Sequence, residues 1–318
     1  MTPSRLGIGL AALGRPAYIT SGRAHDLGGS REVARMRQRT EEVLDAAYAA
    51  GIRYLDAARS YGLAEDFLAG WLAARPQIRD VEVGSKWGYR YVGEWRLDAG
   101  VHEIKDHSLP AFTEQLAQTR TLLGDRLDVY HVHSATLDTG VLADAALHRA
   151  MADLRDTGVR IGISTSGPAQ AETVRRALEV VVGGAPLFTS FQSTWNLLEN
   201  SAAPALAEAA AAGARVIVKE AVANGRLAPG GLDGTDGVRR AAELAGRAGF
   251  GVDQLAIAAA LAQPWAWRVL SGAVTPAQLA SNVAAADVVL PAGMPDALPS
   301  LAEPPGDYWA TRSRRAWA

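Results

Sequence analysis

From residue 40 onward the chain repeats one unit: an amphipathic helical stretch closed by glycine, then a short apolar run. Val43, Leu44, Ala47 and Tyr48 share one face of a 3.6-residue helix that stops at Gly51, and residues 52–55 then read as a strand. Phe67, Leu68, Trp71 and Leu72 precede a strand at 81–83, and Phe112, Leu116 and Leu123 precede Gly124 and a strand at 127–132. Leu147, Met151 and Leu154 lead through Gly158 to 159–163; Val174, Leu178 and Val181 lead through Gly183 to 187–192. Gly213 stops the next helix, and 216–218, 269–270 and, at the start, 6–10 complete eight predicted strands. Strands alternating with helices demand parallel pairing and right-handed crossovers, and eight of them close a barrel without leaving a sheet edge. The expected fold is therefore α/β: a single (β/α)8 TIM barrel over residues 1–318, with long βα loops and a C-terminal tail. An open doubly wound sheet is the alternative that a strand count leaves.

Composition narrows the function. With 48% hydrophobic and 21% charged residues, the 318-residue chain can bury a large core. Its 32 Lys+Arg against 34 Asp+Glu, a formal charge of −2, give no general attraction to nucleic acid or anionic lipid. The absence of cysteine removes disulfides, thiolate zinc sites and a cysteine nucleophile, and six His leave little for a metal cluster, so no metal is expected. No apolar run approaches the roughly 18 residues of a membrane span. Residues 6–14 after Arg5 superficially resemble a signal peptide, but they are Gly-rich and no A-x-A site follows, so a cytoplasmic protein is expected. Gly7, Gly9 and Ala12 also fit the spacing of a dinucleotide-binding G-x-G-x-x-A turn. Only six residues precede Gly7, and Pro16 interrupts any following helix, so the context for that motif is missing.

Three stretches exceed ordinary connections: 11–30, 87–108 and the tail from 291. The middle one carries Trp87, Tyr89, Tyr91, Trp95, His102 and His107. Trp87, Tyr89 and Trp95 are candidates to line an apolar substrate pocket, with simple packing over the barrel rim as the alternative. The tail, with five Pro plus Trp309 and Trp317, is expected to be extended, as a lid or a partly disordered segment.

The chemistry-bearing residues fall at the C-terminal ends of the second, third and fourth predicted strands: Asp56 with Tyr61 just beyond, then Lys86, then His133. In a parallel barrel these ends share one face. A tyrosine is a weak acid with a pKa of about 10, which a neighbouring ammonium would lower, and Lys86 is the expected ammonium. Asp56 would hold that lysine, and His133 could hydrogen-bond a substrate carbonyl beside the phenol. His131, two residues earlier, faces the same way one layer deeper and is expected to be a satisfied core histidine.

The segments Gly51-Ile-Arg-Tyr-Leu-Asp56-Ala-Ala-Arg-Ser-Tyr61-Gly62, Gly84-Ser-Lys86-Trp87 and Asp128-Val-Tyr-His-Val-His133 resemble the signatures of the aldo-keto reductase superfamily. The resemblance continues through 161–164, 192–196 and 271–282 and so spans most of the chain. It implies an NAD(P)H-dependent oxidoreductase that reduces an aldehyde or ketone, or runs the reverse, without metal. Tyr61 would be the general acid/base, tuned by Lys86 and Asp56, and His133 would orient a small carbonyl or alcohol substrate. Ser164 and Gln192 match positions that hold the nicotinamide carboxamide, and Thr165 stands where the family usually has Asn. Lys219 falls where many members stack a tyrosine on the nicotinamide; Glu220 could neutralise it, or the two could form a rim pair without a role. Asn282 would contact the adenine. Gly272 and Gln278 replace the Lys and Arg that grip the 2′-phosphate in classical members, which weakens but does not reverse an expectation of NADP(H) ahead of NAD(H). A nucleotide-sensing barrel with little turnover, or a lyase or hydrolase using Lys219 on the same face, are the alternatives.

Overall fold

Eight parallel strands close on themselves in the computed structural model, which describes residues 4–18, 26, 28–231, 233–315 and 317. They are β1 (Leu6–Gly9), β2 (Tyr54–Asp56), β3 (Glu82–Trp87), β4 (Val129–Ala135), β5 (Arg160–Thr165), β6 (Ser190–Thr194), β7 (Arg215–Lys219) and β8 (Arg268–Ser271). Each pairs in parallel with its neighbours in sequence, and β8 pairs back onto β1 through Leu6↔Val269 and Ile8↔Ser271. The barrel expectation, rather than the open sheet, is what the chain adopts. No described helix is long and apolar enough to cross a membrane.

Several strands begin later and end later than their apolar runs suggest. Ile52 is fully buried, yet its N–H donates to Ala47 O and closes the C-terminus of the helix Val33–Ala49, so the ladder starts only at Tyr54. At the other end polar residues such as Asp56, Lys86 and Thr165 remain in the strands, which an apolar pattern cannot register.

Inside the barrel, large side chains fit only because glycines face them. A Cβ on Gly84 would lie 2.4 Å from Tyr54 Oη, and one on Gly162 would lie 2.4 Å from Ser190 O and 2.5 Å from the His131 ring. Gly7 has the same role: its Cβ would meet Leu270 at 2.8 Å and the Tyr54 ring at 3.0 Å. The first half of the apparent dinucleotide motif is thus a consequence of barrel packing.

The 87–108 connection contains an antiparallel hairpin, Tyr89–Tyr91 with Glu103–Lys105. In the 11–30 connection, residues 19–25 and 27 lie outside the described residues. The tail departs from expectation: it is helical, with Met294–Ala297, a 3-10 turn Leu298–Leu301 and Pro305–Ser313. Proline sits in the first turn of each, where its missing N–H costs nothing and its fixed φ starts the helix. Buried Tyr308 and Trp309 pack the last helix on the barrel, where Asn196 Nδ2 donates to Tyr308 Oη at 3.0 Å.

Gly162→Ala should destabilise the protein by about 1–3 kcal/mol, because one of the atoms it strikes is backbone that cannot rotate away. An unchanged urea midpoint would show that the interior packing is looser than described.

Candidate active site

Two glycines bring Tyr61 to the barrel mouth. Gly62 has φ of +61°, and Leu63 N–H donates to Gly14 O at 2.7 Å, so the loops after β1 and β2 pass with almost no gap. A Cβ on Gly14 would lie 2.3 Å from Tyr61 O. The Tyr61 ring then sits with Lys86 Nζ 4.8 Å from its centroid and the His133 ring edge-on to it at 5.4 Å. Lys86 Nζ donates to Asp56 Oδ2 at 2.5 Å and to Ala57 O at 2.9 Å, and Gln192 Nε2 donates to Asp56 Oδ1 at 2.8 Å. Asp56, Tyr61, Lys86 and His133 therefore converge as the sequence predicts.

His133 owes its direction to an irregularity in β4. Pairing with β5 slips between Val132 and Ala135, and Ser134 has φ of +52°. A bulge of this kind re-aims a side chain at the cost of ladder hydrogen bonds. The freed Ser134 N–H is recovered by Ser164 Oγ at 2.8 Å, while Ser60 Oγ lies 3.3 Å from His133 Nδ1 and His107 Nε2 lies 2.9 Å from His133 O.

Burial dominates the electrostatics. It pushes the Tyr61 phenol well above its ordinary value, with Asp56 adding to the rise and Arg15 opposing it. Lys86 Nζ stands beside the ring as expected, but desolvation outweighs the cations near this phenol. Burial also lowers Lys86, against the pull of Asp56. His133 is held well below its usual value by burial and then by Lys86, so it is neutral. His131, pushed down to about 3 by burial, is a neutral core histidine with Nε2 2.9 Å from Ser190 Oγ.

The residues expected at a dinucleotide lie along the ends of β5 to β8. Ser164 and Gln192 are register partners on β5 and β6, Gln192 donating to Asp56 and Ser164 Oγ accepting from Ser134 N–H, uncharged polar groups of the kind that suit a carboxamide. Thr165 is buried and bonded to Ser193 Oγ at 2.7 Å. Gly272 is exposed, and a Cβ there would meet nothing within 4 Å, which leaves open backbone at the end of β8. In the next helix, Pro276–Ala284, Gln278 Oε1 accepts from Val274 N–H at 2.9 Å and Asn282 Nδ2 donates to Ser271 Oγ at 2.8 Å. Residues 271–282 contain no Lys or Arg. The set fits a dinucleotide but supplies no cation for a 2′-phosphate.

Lys219 and Glu220 do pair, at 3.7 Å, but not as an exposed rim couple. Lys219 Nζ donates to Thr194 Oγ1 at 2.7 Å, and Glu220 accepts a bifurcated hydrogen bond from Arg312 Nε–H, at 3.1 and 3.0 Å to its two oxygens, and one from a terminal guanidinium nitrogen at 2.5 Å. Burial lowers Lys219 to about 8; Arg312 and Lys219 hold Glu220 down to about 2 despite its burial. Of the pocket candidates, Trp87 is buried against Phe112 and belongs to the core. Tyr89 faces His133 at 5.1 Å between ring centroids, and Trp95 packs on Phe67 and donates from Nε1 to Arg31 O at 2.6 Å. Tyr89, residues 97–103 and Trp317 line a cavity of about 490 Å³. Sequence reasoning missed Arg15, Glu103 and the placement of Trp317, none of which belongs to a spaced motif, and gave no role to Ser60, which lies inside the 51–62 motif.

A closed parallel barrel gathers a buried Asp–Lys pair, a tyrosine and a neutral histidine at its C-terminal strand ends, groups able to exchange a proton at one mouth. The chain belongs to the aldo/keto reductase family, whose model matches residues 6–303, and is thus an oxidoreductase of NAD(P)-dependent type. It is 30% identical over 287 residues to D-threo-aldose 1-dehydrogenase from Pseudomonas sp, covering 79% of this chain and 84% of that protein. An aldo-keto reductase from Bacillus halodurans, solved in its holo form, shares the fold with a TM-score of 0.71 at 23% identity, over 95% of this chain and 93% of that one.

Because Glu220 is more acidic folded than unfolded, its stabilisation is complete above about pH 4.5 and is lost as pH falls toward about 2. Glu220→Gln should therefore cost roughly 3 kcal/mol at pH 6 and much less at pH 3 in urea unfolding. A gap that does not narrow at low pH would contradict the ionic account of this cluster.

Proposed function

We propose that the protein interconverts the carbonyl and alcohol forms of a small substrate, with Tyr61 as general acid in reduction and general base in oxidation. The convergence of Asp56, Tyr61, Lys86 and His133 supports it most directly. When bound, the dinucleotide supplies or accepts the hydride at the substrate carbon. The neutral phenol of Tyr61 then gives its proton to the carbonyl oxygen, and the buried Lys86–Asp56 pair fixes the floor beneath the ring. In the tautomer in which Ser60 Oγ donates to His133 Nδ1, the other ring nitrogen carries the proton and can donate to the same carbonyl oxygen. Ser164, Gln192 and Thr165 would hold and shape the nicotinamide end, Lys219 would flank it, and Gly272, Gln278 and Asn282 would hold the adenosine end. Tyr89 and Trp95 would border the substrate. The name of the Pseudomonas relative makes aldoses the first substrates to try. NADP(H) is placed ahead of NAD(H), with weak discrimination because residues 271–282 carry no cation. The lyase alternative is disfavoured, since Lys219 Nζ is bound by Thr194 and lies against Glu220.

Tyr61→Phe should abolish at least about 99% of turnover, consistent with loss of a general acid, while leaving the Kd for NADPH within about twofold. Turnover near that of the wild type would refute the assignment. Gln278→Arg should raise the affinity for NADPH relative to NADH by about tenfold, the effect of one charge-assisted hydrogen bond. An unchanged ratio of the two dissociation constants would place recognition of the 2′ position elsewhere.

A further inference from the structure

Arg15 is 3% exposed, a deep burial for an always-charged group, and everything it touches belongs to the mouth of the barrel. Its guanidinium carbon lies 5.0 Å from the Tyr61 ring centroid, 5.2 Å from that of Tyr18 and 4.6 Å from that of Trp317. Its nitrogens donate to Ser60 O at 3.1 Å, Ala11 O at 3.1 Å and Glu103 Oε1 at 2.6 Å. One side chain thus binds the carbonyl just before Tyr61, covers the Tyr61 ring, and ties the hairpin and the C-terminal tryptophan to both. Trp317 in turn stacks on His102 at 4.5 Å between centroids.

We propose that Arg15 is the positioning residue for Tyr61: it fixes the ring through Ser60 and supplies the cation that stabilises the phenolate formed when the proton leaves. The proposal rests on Tyr61 being the general acid/base. In reduction the phenolic O–H bond breaks, the proton passes to the carbonyl oxygen, and the negative charge stays on Tyr61 beside the guanidinium. Lys86 is held by Asp56, whose carboxylate still raises the phenol, and the Arg15 cation 5.0 Å from the ring acts against that rise. The groups facing Tyr61 are Asp56 from β2, Lys86 from β3, His133 from β4, Tyr18 from the first loop, Glu103 from the hairpin and Glu220 beyond β7. Of the Arg15–Glu103 couple, the arginine favours phenolate and the glutamate opposes it.

That opposition separates electrostatics from mere scaffolding. Both Arg15→Met and Glu103→Gln break the same ion pair, so a structural role would move both variants in the same direction. Turnover of aldoses with NADP+ is measured from pH 7 upward for the wild type, both variants, Arg15→Lys and Tyr61→Phe, with folding checked by circular dichroism. The rise of turnover with pH should move about one unit upward in Arg15→Met, move downward in Glu103→Gln and stay near the wild type in Arg15→Lys. Shifts of equal sign in the first two, or none, overturn the proposal while Tyr61→Phe stays inactive. If Arg15→Met does not fold, an unshifted or upward-shifted Glu103→Gln overturns it alone. If Tyr61→Phe is active, the acid/base assignment itself has failed.

Discussion

The ion pair between Lys86 and Asp56 is nearly withdrawn from water, with side-chain exposures of 1% and 3%. Each charge alone would cost several kcal/mol to bury, so neither can be present without the other. Their geometry depends on three strands: β2 carries the carboxylate, β3 the ammonium, and β6 the Gln192 amide that fills the second carboxylate oxygen. The closed barrel holds those strand ends in register, and the pair forms the floor on which Tyr61 rests. Residues distant in sequence become neighbours here because parallel strands end on one face.

Above that floor a second layer of charge binds the loops together. Arg15 reaches Glu103 and the carbonyl of Ser60; Arg312 from the last helix grips Glu220; Arg226 bridges to Glu303 and Asp233. Each arginine uses several donors of its planar fork, which a lysine could not match. The tail and the first loop are therefore tied to the mouth by polar contacts in addition to the apolar packing of Leu13, Leu301, Tyr308 and Trp309.

The fold was largely legible because the repeat of helix, glycine and strand is a property of apolar spacing, and that spacing survives in the chain. Asp56, Tyr61, Lys86 and His133 were legible for a different reason: strand ends in a parallel barrel have a predictable side. Trp87 misleads, since an aromatic at the end of a strand can point into the helix layer, as it does against Phe112. The bulge at Ser134, which aims His133, has no sequence marker because the N–H it frees is satisfied by the Ser164 hydroxyl on the next strand. Arg15 and Glu103 are 88 positions apart in two loops, and no periodicity links them. The helical tail was hidden by its prolines, which break helices internally but begin them at the first turn.

The account stands or falls on hydride transfer at the barrel mouth. The most direct measurement incubates the protein with NADPH carrying deuterium at both C4 positions and a panel of small aldehydes and aldoses, with the alcohols analysed by mass spectrometry. One deuterium on the former carbonyl carbon of a product is the predicted result. Alcohol that forms without the label, or no product from any member of the panel, would contradict it.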